Sequence, residues 1–274
     1  MKIVGHTMGT PEATVSEAID LFARLGLDGI EIICADDYGC GLNLETSQPD
    51  LSGIRQRAAD AGLIIAGLVP YTKDMNSPDA AARQGAIDNL KAAVDIAVAL
   101  DCSAIRVFGG HEVPPSEHGS ALGWLAESLR EVGDYAATAN VQLNVENHMD
   151  TMATSAEMTM AIVRAVDLPN VGVLYDQANL TFMAQEDHGT AIDMQSPRIN
   201  HVHVKDFYWA GTERVAAVLG KGIVPWLEIV NSLTDLGYEG FYSLEYERRW
   251  FPEQLPQPAV GMKQCLDFLR RINN

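Results

Sequence analysis

Short runs rich in β-branched residues recur eight times along this chain, and longer amphipathic stretches lie between them. Strands that alternate with helices are typical of βαβ units and of a parallel sheet. Eight such units within about 250 residues are what a (β/α)8 barrel requires. The predicted strands span residues 2–6, 28–33, 63–69, 103–108, 141–146, 171–176, 199–205 and 240–245.

The stretches between the strands carry helix-end signals. SEAIDLFARL is followed by Gly26, and DLSGIRQRAADA is followed by Gly62; glycine is the usual residue just past a helix. A doubly wound open sheet is the main alternative, but no GxGxxG motif follows the first strand. A chain of 274 residues with 47% hydrophobic content can bury a sizeable core. We therefore predict an α/β fold, a single (β/α)8 TIM barrel domain over residues 1–274.

Charge and cysteine content narrow the class of protein. A formal net charge of −18 argues against binding nucleic acid or an anionic membrane surface, both of which attract basic proteins. The N-terminal MKIVGHTMGTPEA lacks the apolar core of a signal peptide, and no apolar run is long enough to span a bilayer. Cys34, Cys40, Cys102 and Cys265 show no metal-type or redox-type spacing, so we expect free thiols in a cytoplasmic protein.

Polar side chains end four successive predicted strands in the same phase. Along a barrel strand, alternate residues point inward, and catalytic groups collect at the carboxyl ends. Since the apolar residues of these strands belong against the helices, the polar residues at the strand ends point inward. They are Glu146, Asp176, His203 and Glu245.

Three carboxylates and one imidazole suit a divalent ion of intermediate hardness. The absence of thiolates from this set argues against a structural zinc site. Buried carboxylates that pair with Lys or Arg are the alternative for any one of them, but four in phase on successive strands favour a metal. We expect one divalent metal ion, Mn²⁺ in the first place, with Mg²⁺, Co²⁺ or Zn²⁺ as alternatives.

The stretch HVHVKD, residues 201–206, places His201, His203 and Lys205 on one face of a strand. Lys205 is a candidate to hydrogen-bond a substrate oxygen, with an ion pair to Glu245 or Glu31 as the alternative. Other inward or rim positions are further substrate-binding candidates, for which packing or ion pairing is the alternative role. They are His148, Glu31, Trp209 and Phe108.

Several segments resemble the xylose-isomerase-like TIM barrels, specifically the sugar phosphate isomerase/epimerase family, and the resemblance covers nearly the whole chain. The segments are VENHMD, GVLYDQANL, HVHVKDF and GFYSLEYE, together with LGKGIVPW and LGYEG. The resemblance implies that Glu146, Asp176, His203 and Glu245 hold the metal. It favours His203 over His201, because the second histidine of the pair matches the family's ligand. It also implies a small carbohydrate substrate and a homo-oligomer, either a dimer or a tetramer.

The predicted chemistry follows from that site. A metal ion that is open on one side can polarise a keto-sugar carbonyl and stabilise the enediolate formed when a base removes the neighbouring proton. Glu146 and Glu245 are the predicted catalytic pair, one carboxylate on each face of the sugar carbon. We predict a divalent-metal-dependent isomerase or epimerase of a keto sugar or sugar phosphate. The alternative is a metal-dependent dehydratase or lyase acting on a keto-cyclitol (an inosose) or a 3-keto-glycoside, which shares the first step.

Two positions depart from the ketose 3-epimerases of the tagatose and psicose type. Those enzymes resemble this chain but carry Asp-x-x-His on strand six and an arginine six residues after the metal histidine, where this chain has Asn179 and Trp209. HVHVKD is more similar to the broader group of sugar phosphate epimerases and inosose dehydratases. The turn at residues 220–222 offers backbone N–H groups to a phosphate. Apurinic endonucleases need more histidines and a basic surface, and a non-catalytic sugar-binding barrel would not need the intact ligand set.

Overall fold

A computed structural model describes residues 1–36 and 38–273. All eight predicted strands are present, and each observed end lies within one residue of its predicted position. Two further strands follow the seventh. In chain order the strands are β1 (Lys2–His6), β2 (Gly29–Cys34), β3 (Ile64–Pro70), β4 (Ala104–Val107), β5 (Gln142–Glu146), β6 (Val171–Tyr175), β7 (Ile199–Val204), β8 (Asp206–Ala210), β9 (Glu213–Ala217) and β10 (Phe241–Leu244).

Helices connect the barrel strands. None of the helices in the described part of the chain is long and apolar enough to cross a membrane. Their bounds are α1 (Val15–Leu25), α2 (Gln48–Asp60), α3 (Ala80–Ala99), α4 (His118–Thr138), α5 (Ala156–Val166), α6 (Gln177–Ala184), α7 (His188–Gln195), α8 (Trp226–Asp235) and α9 (Pro258–Ile272).

The sheet topology is that of a TIM barrel. The parallel strands close in the order β1-β10-β7-β6-β5-β4-β3-β2, and β8 and β9 form a separate antiparallel pair. The predicted (β/α)8 barrel is confirmed. The chain groups into two compact units, Met1–Ala66 with His201–Asn274, and Gly67–Asn200. The single domain over residues 1–274 stays a prediction.

Helix α1 shows how local sequence sets an element in the first unit. Thr14 and Glu17 form a capping box, in which each side chain accepts a hydrogen bond from the other residue's backbone N–H. Gly26 ends the helix with φ of 82°, a left-handed conformation that costs glycine little. The buried Phe22 packs on Gly5 of β1, where an added Cβ would lie 2.7 Å from the ring. Glycine at that position therefore lets α1 approach the sheet.

In the second unit, β4, β5 and β6 pair in parallel register. The apolar residues of β5 and β6 that we expected against helices, among them Leu143, Val145 and Val173, are fully buried. Strands that are buried on both faces are rich in apolar and β-branched residues. This composition is why their positions could be predicted from the sequence.

The loop after β8 and β9 is organised by Asp206. Its carboxylate accepts hydrogen bonds from the backbone N–H groups of Phe207 at 2.9 Å, of Gly220 and Gly222 at 3.0 Å each, and of Val224 at 3.1 Å. The N–H groups of residues 220 and 222 were candidates for binding a phosphate. In the structure they donate to Asp206 instead.

Replacing Asp206 by alanine should lower the free energy of unfolding by about 2–4 kcal/mol, because several buried or half-buried N–H groups lose their acceptor together. Urea denaturation followed by circular dichroism measures this. Exchanging the exposed Asp235, at the end of α8, for alanine is the control and should change the unfolding free energy by less than about 0.5 kcal/mol. Equal stability of the two variants would contradict the anchoring role of Asp206.

Candidate active site

Glu31 of β2 lies against both histidines of β7. Its Oε2 is 3.0 Å from Nε2 of His203, and its Oε1 is 3.3 Å from Nε2 of His201. All three side chains are almost completely buried. Burial alone would raise the pKa of the Glu31 carboxyl, but the interactions with His201 and His203 outweigh burial and hold this pKa well below its usual range. Glu31 is therefore an ionised carboxylate.

His6, at the end of β1, has its proton position fixed by the backbone. Its Nδ1 accepts a hydrogen bond from the N–H of Met8 at 3.0 Å, so the neutral ring carries its proton on Nε2. The ring meets that of His203 edge to face, with 5.5 Å between centroids. His6, Glu31 and His203 have the residue types and spacing of a metal-binding group. The protonated Nε2 makes neutral His6 a hydrogen-bond donor rather than a metal ligand on that side.

Glu245, directly after β10, pairs with Lys205. The Lys205 Nζ lies 2.5 Å from Oε2 of Glu245 and 3.9 Å from Oε1 of Glu247. Burial would raise the pKa of Glu245, but Lys205 and His203 outweigh burial and hold that pKa well below its usual range. Burial raises the pKa of Glu247 in spite of Lys205 and Arg214. The ion pair that the sequence left open for Lys205 is thus present, and its predicted contact with substrate stays a prediction.

Glu146, the last residue of β5, is held by Arg106 of β4. The guanidinium Nη1 donates to Oε2 of Glu146 at 3.0 Å, and both side chains are 2% exposed. The same guanidinium lies 3.7 Å from the ring centroid of Phe108 and 4.6 Å from that of Tyr71. Phe108 is 1% exposed, so packing on Arg106 is the role that the structure gives it. Its predicted sugar contact stays a prediction.

Asp176 follows β6 and caps α6. Its Oδ1 accepts the backbone N–H of Asn179 at 2.8 Å, and Asp176 is fully buried. The Asn179 side chain donates to the carbonyl oxygen of Asn147 at 2.9 Å. Asn179, where the resemblance has a histidine, therefore joins the start of α6 to the end of β5. This brace was not predicted, because neither asparagine stands in a sequence pattern that indicates its hydrogen-bond partner.

The remaining predicted substrate residues lie in different surroundings. His148 is half-buried, and its Nδ1 lies 2.7 Å from the carbonyl oxygen of Met149. A carbonyl only accepts, so Nδ1 carries the proton and Nε2 of the neutral ring is a proton acceptor. Trp209 lies on β8 and is 42% exposed, with its ring edge-on to Phe207. Substrate contact by His148 and Trp209 stays a prediction.

The four predicted metal ligands occupy corresponding places on their strands. Each lies at the carboxyl end of its strand or directly after it, and all are buried. Together they are a set of residue types that could hold a metal ion, namely Glu146, Asp176, His203 and Glu245.

The donor chemistry of this set fits a divalent ion. An ionised Glu31 can only accept, so Nε2 of His203 donates to it and Nδ1 of the neutral ring keeps its lone pair. That Nδ1 lies 3.5 Å from Oε2 of Glu245. Oε2 of Glu245 also accepts a hydrogen bond from Lys205. Three carboxylates with one imidazole are a donor set that suits Mn²⁺, Mg²⁺, Co²⁺ or Zn²⁺.

Comparison with known proteins agrees with this picture. The xylose isomerase-like TIM barrel family matches residues 19–272. The chain belongs to this family. Its relatives include sugar epimerases. D-psicose 3-epimerase of Agrobacterium fabrum is 29% identical over 83% of this chain and 77% of that protein. Fructoselysine 3-epimerase of Shigella flexneri is 24% identical over 99% of this chain and 98% of that protein.

Solved structures of the family share the fold. A D-psicose 3-epimerase crystallised in the presence of D-fructose superposes with a TM-score of 0.81 at 22% identity, covering 99% of both chains. The family predicted from the sequence is confirmed. An inosose dehydratase of Geobacillus thermodenitrificans is 29% identical, but the match covers 45% of this chain and 46% of that protein. This match spans less than half of either chain, and the expected likeness of HVHVKD to the group that includes inosose dehydratases stays a prediction.

Proposed function

We propose that this chain is a divalent-metal-dependent epimerase of a keto sugar, with Glu146, Asp176, His203 and Glu245 as metal ligands. The observation that carries the proposal is this buried set of three carboxylates and one imidazole at the carboxyl ends of four barrel strands. Two of its sequence relatives, D-psicose 3-epimerase and fructoselysine 3-epimerase, carry the predicted class of activity. A metal ion held there, Mn²⁺ in the first place, supplies Lewis-acid polarisation of a carbonyl.

Glu146 and Glu245 are the residues that we assign to proton transfer. One carboxylate removes the proton from the carbon beside the carbonyl, and the acid form of the other returns a proton to the opposite face. Each is oriented by a buried cation, Arg106 for Glu146 and Lys205 for Glu245. A fixed cation holds each carboxylate in one orientation, which is what a positioned proton donor or acceptor requires.

The substrate that we propose carries no phosphate. The N–H groups around the turn at residues 220–222 bind Asp206 instead of an external anion. Lys205 and Arg214 both contact Glu247, and Lys205 also contacts Glu245. A phosphate would have to displace these carboxylates and would meet their negative charge. Lys205 and His148 remain our candidates for hydrogen bonds to sugar oxygens.

Proton NMR in D₂O tests this function. Enzyme loaded with Mn²⁺ is incubated with ketoses, ketose phosphates, inososes or 3-keto-glycosides, and the metal is removed before spectra are recorded. We expect deuterium at the carbon beside the carbonyl of an unphosphorylated keto sugar, together with its epimer. Exchange in the phosphates alone would contradict the proposed substrate class. Absence of exchange in all compounds, in protein that binds Mn²⁺, would contradict the proton-transfer mechanism.

A dehydratase or lyase is the second candidate, and the match to inosose dehydratase supports it. Proton removal is shared by the two reactions, so the same spectra separate them. Loss of water from an inosose or cleavage of a 3-keto-glycoside would identify the second candidate, whereas an epimer identifies the first.

We also propose a cytoplasmic location and a homo-oligomer. All four cysteines are buried and free, the state expected under reducing conditions. Light scattering of the purified protein tests the oligomer.

A further inference from the structure

The pair of histidines in HVHVKD faces a single carboxylate. Residues two apart on a strand point to the same side, which places His201 and His203 on one face of β7. The two oxygens of Glu31 face one ring each, at 3.3 Å for His201 and 3.0 Å for His203. Glu31 is 1% exposed, so water does not replace either contact.

This arrangement determines which nitrogen of His203 carries the proton. Glu31 approaches Nε2 to 3.0 Å and can only accept, whereas Oε2 of Glu245 lies 3.5 Å from Nδ1 and accepts from Lys205. The proton of the neutral ring therefore lies on Nε2. The other nitrogen, Nδ1, then offers its lone pair on the side of Glu245, whose Oε2 is 3.5 Å away. The opposite tautomer would place a proton on Nδ1, where a metal ion would have to bind.

We propose that Glu31 is a positioning residue that selects the ring tautomer of His203 and so sets the affinity of the metal site. The inference rests on the proposed function and deepens it. A carboxylate behind a metal-binding histidine fixes its tautomer and orientation, and losing such a partner typically lowers metal affinity by about 10–100-fold. Since both Glu31 oxygens face imidazoles, Glu31 orders the site instead of contacting the sugar.

The neighbouring groups are consistent with this role. His6 presents a protonated Nε2, because the N–H of Met8 occupies its Nδ1. His6 packs edge to face on His203, while Glu31 is the hydrogen-bond partner of His203. Glu31 is therefore the group that fixes the proton of His203.

The test uses metal-free protein labelled with ¹⁵N-histidine. Long-range proton–nitrogen spectra report the tautomer of His203, whose signals are assigned from the spectrum of His203→Gln. The variant Glu31→Met removes both acceptor oxygens while keeping the length of the side chain. Glu31→Gln, which keeps one acceptor oxygen, is the second variant in case the first does not fold. Mn²⁺ affinity is measured on the same samples by electron paramagnetic resonance.

We expect the Nε2–H tautomer of His203 in the parent protein, a shift towards Nδ1–H in Glu31→Met, and a 10–100-fold weaker Mn²⁺ affinity. The control is Asp28→Asn, beside β2, which loses a carboxylate that binds the N–H of Ile3 and should change neither readout. Unchanged affinity in Glu31→Met, or weaker affinity with the Nε2–H tautomer retained, would overturn the inference. A parent protein that shows the expected tautomer but binds no Mn²⁺ would instead refute the proposed metal site.

Discussion

The single variants Glu146→Gln and Glu245→Gln should each reduce turnover by about 10²–10⁴-fold, which is the usual contribution of a positioned general acid or base. The amide keeps the size of the side chain and an oxygen that can accept from Arg106 or Lys205. It cannot take a proton from carbon at neutral pH. The two variants should therefore stay folded and lose the chemical step.

Steady-state turnover of the keto sugar identified by deuterium exchange measures the effect. Because both residues are also proposed ligands, Mn²⁺ affinity is measured alongside, and activity is compared at saturating metal. The control is Glu228→Gln on the exposed face of α8, which should keep the parental rate. If both active-site variants turn over near the parental rate at saturating Mn²⁺, the proton-transfer assignment is wrong. If one does, only its partner carries protons.

The barrel was predictable because it depends on local patterns. Most of the parallel strands are buried on both faces and appear as short apolar runs, many of them β-branched. Helices such as α1 carry their own end signals, here Thr14 and Gly26. Strand phase also located Glu146, Asp176, His203 and Glu245, because alternate residues of a strand must face opposite sides. These features need no knowledge of the partner strand.

The hairpin of β8 and β9 was not predicted, for a physical reason. Its strands are short and partly exposed, so they lack the pattern of a buried strand. Its loop is held by Asp206, which accepts hydrogen bonds from backbone N–H groups up to 18 residues away. A local sequence motif does not predict that the carboxylate of a strand residue will accept hydrogen bonds from the backbone of a distant turn.

The partners of the site residues were equally beyond the sequence pattern. Glu31 and His203 are 172 residues apart in the chain, and Arg106 and Glu146 are 40 apart. Strand phase placed Glu31, Glu146 and His203 at inward positions. It left ion pairing and substrate contact as alternatives for Glu31, and it named no particular partner for Glu146. The folded structure shows that Glu31 contacts histidines and that Arg106 binds Glu146. The sequence alone could not distinguish ion pairing from substrate contact, because it does not show which residues meet.

Removing divalent metal should abolish turnover and lower the melting temperature of the protein. Three carboxylates and Nδ1 of His203 would lose their shared cation, so the buried negative charges would repel one another. A ligand present at about 100 times its Kd stabilises the folded state by about 2.7 kcal/mol, which sets the expected size of the thermal effect. Dialysis against a chelator, followed by activity and thermal unfolding, measures both quantities.

Restoring each metal in turn separates a specific site from a general salt effect. Mn²⁺ should restore both the turnover and the melting temperature of the stripped enzyme. The turnover restored by Mg²⁺, Co²⁺ and Zn²⁺ is compared with that of Mn²⁺ in the same assay. In the variant His203→Gln, which loses the single nitrogen ligand, Mn²⁺ should raise the melting temperature much less at the same concentration. The control is His188→Gln, since this histidine begins α7 and lies outside the ligand set. Full turnover of thoroughly stripped enzyme would contradict the metal proposal, because Glu146 and Glu245 alone cannot polarise a carbonyl.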